Sequence, residues 1–265
     1  MHKKKQTYLS LIPVLLALLF ILFPVKYAMS MAISVLFAVW VRMHYRNNPF
    51  GTLILISLVL RIGIAMLDEA AAVLPEQSDE KEYLEVSFQI LENWRHGLPI
   101  FYETSTSLSV KSYSLWMAAI FFFFGKLPLV AVTINVLLAI SASILTYKIA
   151  LLVFENEKVA LSSGAIVLFF PSLIAFSSYL LRDTLIMFLS FVMIYHFFQV
   201  VKQKTNLYHL LLTILFFILC GVMRVQNLYL YSSIFLAFWF VLFLKSNYKT
   251  SIKIAVISIL TLVCI

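Results

Sequence analysis

The chain has 265 residues, 63% of them hydrophobic and only 12% charged, with a mean hydropathy of +0.99, a balance that excludes an ordinary water-soluble domain. The formal charge of +8 comes from Lys and Arg in small groups at the ends of apolar runs, so it marks membrane topology and not a nucleic-acid surface. The runs lack the strict alternation of barrel strands, and Cys220 and Cys264 both lie inside apolar stretches, which suggests neither a disulfide framework nor a metal site.

His2-Lys3-Lys4-Lys5 precedes the first apolar run, Tyr8 to Val25. No small-x-small cleavage site follows it, so it reads as a retained helix and not as a cleaved leader. Further runs lie at Tyr27 to Val41, Gly51 to Leu67, Leu129 to Val153, Val159 to Leu181, Thr184 to Val201, Leu207 to Met223, Val225 to Leu244 and Ile254 to Ile265. That makes about nine candidate spans, given that a crossing takes about 20 apolar residues. The last run is too short to cross, which predicts a truncated C-terminus. The predicted fold class is an all-α polytopic membrane protein.

One shorter run, Tyr113 to Gly125, decides the side on which every later residue falls. With the N-terminal lysines in the cytoplasm and Arg61 set aside as embedded, a non-spanning run puts 12 of the remaining 19 Lys and Arg inside and 7 outside, whereas a spanning run gives 8 and 11. The positive-inside rule selects the first arrangement. Arg42, Arg46, Lys158, Lys202, Lys204, Lys245, Lys249 and Lys253 then face the cytoplasm, while the segment from Asp68 to Ser112, with Asp183 and Arg224, faces outward.

That outer segment carries nine of the twelve acids: Asp68, Glu69, Glu76, Asp79, Glu80, Glu82, Glu85, Glu92 and Glu103. Within it, Tyr83, Val86, Ile90, Leu91 and Trp94 recur at three to four residues until Gly97 and Pro99 stop the pattern, so an amphipathic helix over 79–96 is predicted to lie along the outer membrane surface. Asp79 with Glu82 reads as its capping box. Ionisable residues in or beside apolar runs are costly and often have a task. Arg61, the pair Arg182–Asp183 and Arg224 are of this kind, although Arg61 could equally be a structural partner and Arg182–Asp183 a turn between two spans.

The order of these residues resembles the GT-C glycosyltransferase superfamily, in particular its protein mannosyltransferase and aminoarabinose transferase branch. Leu60-Arg61, then Ser78-Asp79-Glu80-Lys81-Glu82-Tyr83 and on to Gly97, is similar to the family's outer-loop pattern of an Asp, a Tyr four residues on, and a helix ending in Gly. Lys111-Ser112-Tyr113 through Phe124-Gly125 resembles an interfacial, non-spanning segment of that family, with Ser112 in place of the usual Pro. Asn135, Phe170-Pro171 leading to Arg182-Asp183, and Gly221-Val222-Met223-Arg224 continue the likeness, which covers about 51–230. Two extra apolar runs precede it, in 1–50, and further transmembrane helices follow in 231–265.

The resemblance implies a GT-C-like helix bundle with interfacial helices in the outer loop 68–112. It also implies inverting sugar transfer from a polyprenyl-phosphate donor to a cell-envelope glycan, lipid or protein acceptor hydroxyl, at the extracytoplasmic face of a multi-pass cell-membrane protein. Asp79 would be the general base, with Glu80 and Asp183 as supporting acids. Arg224 would meet the donor phosphate, with Arg182 and Lys111 as further candidates and Tyr83 and Arg61 as residues of the substrate site. No cofactor is certain; acids could hold a divalent cation. Alternatives are a lipid-linked glycan flippase or transporter and a repeat-unit polymerase.

Overall fold

The computed structural model describes residue 13 and residues 16–102, 106–203 and 207–245. The run Ile254 to Ile265 and the first part of Tyr8 to Val25 (8–12, 14 and 15) therefore lie outside the described residues. Every element described is helical: α1 Val25–His44, α2 Pro49–Ala71, α3 Ser78–Arg95, α4 Leu108–Phe124, α5 Pro128–Phe154, α6 Glu157–Phe169, α7 Pro171–Ser177, α8 Arg182–Gln203, α9 Leu207–Met223 and α10 Gln226–Lys245. The chain divides into two units, 1–223 and 224–265; the second contains α10.

Among the described residues four helices (α1, α2, α5 and α8) are long and apolar enough to cross a bilayer, and a fifth span results if α6 and α7 count as one. Two departures from the apolar runs have local causes. Val159 to Leu181 is not one straight helix, because Pro171 lacks the N–H that would continue α6; the chain bends by 55° into α7. Tyr113 to Gly125 belongs to a 17-residue helix, α4, that starts five residues earlier than the run, and the segment 68–112 includes the end of α2 and nearly the first turn and a half of α4.

The main core of the first unit lies where α1, α2, α5 and α6 meet, around Val41, Phe50, Ile54, Leu58, Val136, Ile140, Ile144, Ala160 and Leu168. Phe50 stacks on Tyr147 at 4.6 Å. Gly164 permits that approach, since a Cβ there would stand 2.6 Å from the Phe50 ring. Small polar residues tie the helices together on their inner faces: Ser30 with Thr133, Ser57 Oγ to Leu168 O at 3.2 Å and Ser143 Oγ to Gly164 O at 2.8 Å. Such close, hydrogen-bonded contacts between helices replace the hydrophobic drive that a bilayer cannot supply. The outward faces stay apolar, as with Val59 at 74% exposure and Phe123 at 78%, which in lipid carries no penalty.

The pairings define two ends of the bundle. At one, Lys26 at the start of α1 pairs with Glu69 near the end of α2, and α5 begins. At the other, Asn48 Nδ2 donates to Tyr147 Oη at 2.9 Å and lies 3.5 Å from Glu157 Oε1, and Lys202 pairs with Glu155 at 2.6 Å. α2 and α6 start side by side at this second end and run in the same direction.

α4 starts and finishes at the first end. Near its start Ser112 Oγ donates to Val222 O at 3.2 Å and Tyr113 meets Asn135 of α5, while Gly125, at φ +85°, turns the chain directly into α5. α3 lies alongside α4, with ring pairs Tyr83–Tyr113, Phe88–Phe121 and Trp94–Phe122 in register along both. The predicted stripe of α3 is thus buried against α4. The predicted capping box does not form either. α3 begins one residue earlier than expected, Gln77 is its N-cap and makes no side-chain cap bond, and Asp79 sits in the first turn.

Candidate functional site

The residues singled out in the sequence divide into those the fold gathers and those it does not. Gathered at the first end are the start of α3, the loop 178–181 between α7 and α8, and the start of α8. Asp79 is exposed in the first turn of α3, where an acid favours the positive end of the helix dipole; Ser78 Oγ donates to its Oδ1 at 3.4 Å. Glu80, partly buried, accepts the backbone N–H of Leu180 on Oε1 at 3.2 Å. Burial pushes its carboxyl above the ordinary value. The Leu180 N–H opposes that shift, and the charges of Asp68 and Glu69 at the end of α2 add to it.

Tyr83, 2% exposed, stands between the two groups. Burial raises its phenol; Arg182 opposes the rise, while Asp79, Asp183 and Glu82 reinforce it. The four charged side chains therefore all bear on one ring. Asp183, exposed, occupies the first turn of α8 and Arg182 is that helix's first residue, partly buried.

Behind Tyr83 lies a hydrogen-bonded support. Tyr83 meets Tyr113 edge-on at 4.9 Å, and its carbonyl accepts Ser114 Oγ–H at 3.2 Å. Asn135 Nδ2 donates both to Tyr113 Oη at 3.1 Å and to Tyr179 O at 2.9 Å. Tyr113 and Asn135 are each 1% exposed. Sequence reasoning missed the parts played by Tyr179 and Leu180, which act through their backbone groups and leave no mark in residue type.

Three predicted residues remain. Lys111 Nζ lies over the Phe101 ring at 5.5 Å. Arg224 belongs to the second unit, between α9 and α10, where its carbonyl accepts Asn227 N–H at 2.9 Å. Arg61 is fully buried and its five N–H donors make five bonds: Nε to Ser57 Oγ at 3.2 Å, Nη1 to Leu173 O at 2.6 Å and Ser177 Oγ at 2.5 Å, and Nη2 to Val167 O at 3.3 Å and Leu168 O at 3.0 Å. It clamps the broken α6–α7 pair, and all five of its donors are engaged within the chain.

Among the described residues no three His, Cys, Asp or Glu side chains are placed to share a metal ion. The arrangement offers a partly buried carboxylate, two exposed carboxylates and a guanidinium around a buried tyrosine, a set able to accept a proton and to face an anion. No protein-family model, curated protein or solved structure matches the chain.

Proposed function

We propose that this chain is a membrane glycosyltransferase that moves a sugar from a polyprenyl-phosphate donor to an acceptor hydroxyl at the extracytoplasmic face. The observation that carries the reading is the meeting of Asp79 and Glu80 with Arg182 and Asp183, from segments about 100 residues apart in the chain, around Tyr83. The topology rests on charge. Lys and Arg at the second end (Arg42, Arg46, Lys158 and Lys202) meet few acids, whereas the first end carries Asp68 through Glu92, and the positive-inside rule puts the second end in the cytoplasm. The return of α4 to the end it started from supports the same count.

In this reading Asp79, exposed and unencumbered by a capping duty, takes the acceptor proton as the hydroxyl oxygen attacks the anomeric carbon. The bond from that carbon to the phosphate oxygen breaks, and the polyprenyl phosphate leaves with its electron pair. Inversion follows from the single displacement. Glu80 and Asp183 shape the field at the attacking hydroxyl. Arg182 is the cation of the first unit that suits the phosphate, since a guanidinium matches phosphate oxygens with planar donors; Arg224 has the same role proposed from the sequence alone, as does Lys111 more weakly. An acceptor in the cell envelope, whether glycan, lipid or protein, fits an outward site.

The broken helix α6–α7 is the one feature a flippase or transporter would exploit, because unwound helix ends expose carbonyls for ions. Here Arg61 occupies them, which favours transfer over transport. The test is direct: membranes containing the protein are incubated with a panel of radiolabelled polyprenyl-phosphate sugars. Release of polyprenyl phosphate with label appearing in an envelope acceptor is the expected result. Movement of intact donor between leaflets without transfer would overturn the reading in favour of a flippase.

A further inference from the structure

Asn135 sits seven residues inside α5, a helix buried mostly through aliphatic and small side chains, and a buried amide there needs partners. Both of its Nδ2 bonds lead to the candidate site: one to the Tyr113 hydroxyl, at 3.1 Å, and one to the Tyr179 carbonyl, at 2.9 Å. The next residue, Leu180, presents its N–H to Glu80 at 3.2 Å, and two residues further α8 opens with Arg182 and Asp183. The loop 178–181 is short and immobilised from both sides, by Asn135 at Tyr179 and by Ser178 Oγ, which donates to Ile174 O at 3.3 Å.

We propose that Asn135 is a positioning residue for the transfer site: by holding the Tyr179 carbonyl it fixes the loop 178–181 so that Leu180 N–H engages Glu80 and Arg182 and Asp183 face Tyr83. This rests on the function proposed above. Asn135 touches neither donor nor acceptor; it acts through the loop. The groups facing Glu80 are Asp68 and Glu69 from α2, Tyr113 from α4 and the Leu180 N–H, with Asp79 and Tyr83 on its own helix. Only the N–H favours the ionised carboxylate. Withdrawing it moves Glu80 further from ionisation at a given pH.

The experiment has two arms, on the full chain in detergent or nanodiscs. In the first, amide hydrogen exchange is followed in peptides covering 178–183 for the parent, Asn135→Leu, which is close in size but donates nothing, and Tyr113→Phe, which removes one of the two partners and leaves the Tyr179 bond. Exchange in Asn135→Leu should be about tenfold faster or more, as loss of two buried hydrogen bonds implies; Tyr113→Phe should stay near the parent. In the second arm, the acidic limb of the turnover profile should move to higher pH in Asn135→Leu and not in Tyr113→Phe. If Asn135→Leu fails to fold, Asn135→Gln, which retains the donor on a longer arm, should show intermediate exchange. Unchanged exchange at 178–183 in the folded variants overturns the positioning role, whatever the activity. Faster exchange with no transfer by any variant, the parent included, overturns the glycosyltransferase reading and leaves the loop contact standing; faster exchange with an unmoved pH profile overturns the link to Glu80.

Discussion

Replacing Arg61 by Met keeps an apolar side chain of similar reach and removes all five donors. Ser57 retains its bond to Leu168 O, so that pair loses least. Val167 O loses most, because the donor four residues on would be Pro171, which has no N–H. Leu173 O and Ser177 Oγ forfeit the two shortest contacts, both to a charged donor. Buried groups stranded in this way cost about 1–3 kcal/mol each, so Arg61→Met should lose roughly 3–6 kcal/mol, on the order of a small domain's whole margin. At about 2–4 °C per kcal/mol for a chain of this size the midpoint should fall by about 6–24 °C. The assay is thermal unfolding in detergent, followed by reaction of the buried Cys220 with a thiol-reactive dye. Arg182→Met serves as the comparison and should move the midpoint by no more than about 3 °C. An Arg61→Met protein as stable as the parent but inactive in transfer would refute the clamp and return Arg61 to the substrate site.

Asp79→Asn should insert and unfold like the parent, because Asp79 caps nothing, yet transfer at most about a hundredth as fast with donor affinity little changed; equal turnover would shift the proton acceptor to Glu80 or Asp183. Glu80, raised by burial, should set an acidic limb in the transfer rate above the ordinary value of 4.5, since a carboxylate needed in its ionised form is lost as pH falls through its raised pKa; in Glu80→Gln that limb should vanish or drop, and an identical profile would remove Glu80 from the titration. Arg224→Lys should keep partial transfer and Arg224→Leu little, because Lys preserves charge but not the paired donors; parental rates in both at limiting donor would exclude the phosphate role. A topology reporter placed near Pro99 should read extracytoplasmic and one after Lys204 cytoplasmic; an extracytoplasmic signal after Lys204 would mean that α4 crosses.

The helices were legible because their apolar runs are long and their ends carry turn residues and charge. Gly97, at φ +67°, stops α3 as its position in the pattern predicted. The break at Phe170–Pro171 was less legible, since a proline in an apolar run signals a kink or an ending without choosing between them. The capping box failed because Asp79 and Glu82 have the right spacing but the N-cap falls on Gln77, a shift of two residues that the pattern cannot resolve. The stripe of α3 was identified correctly as apolar, and α4 covers it: periodicity reveals that a face is buried, not which neighbour buries it. Arg61 was the ambiguous case, and its partners, four of the five on α6 and α7, are mainly carbonyls that no residue type announces.

The bend at Pro171 also sets a depth. α2 and α6 start level, tied through Asn48 and Glu157. At 1.5 Å per residue α2 climbs about 34 Å, whereas α6 climbs about 20 Å and the 55° tilt lets α7 add only about 6 Å. The loop after α7 thus stops roughly 8 Å short of the top of α2. Its tether, Asn135, lies about 10 Å below the start of α5 by the same measure. Asp68 and Glu69 stand as a parapet above a sunken floor. Under the function proposed above, a ligand carried by a lipid tail would reach that floor sideways, keeping its chain in hydrocarbon, while a freely dissolved anion would descend past Asp68 and the Lys26–Glu69 pair. In the proposed reading, depth and rim together would favour a membrane-borne phosphate over a dissolved one.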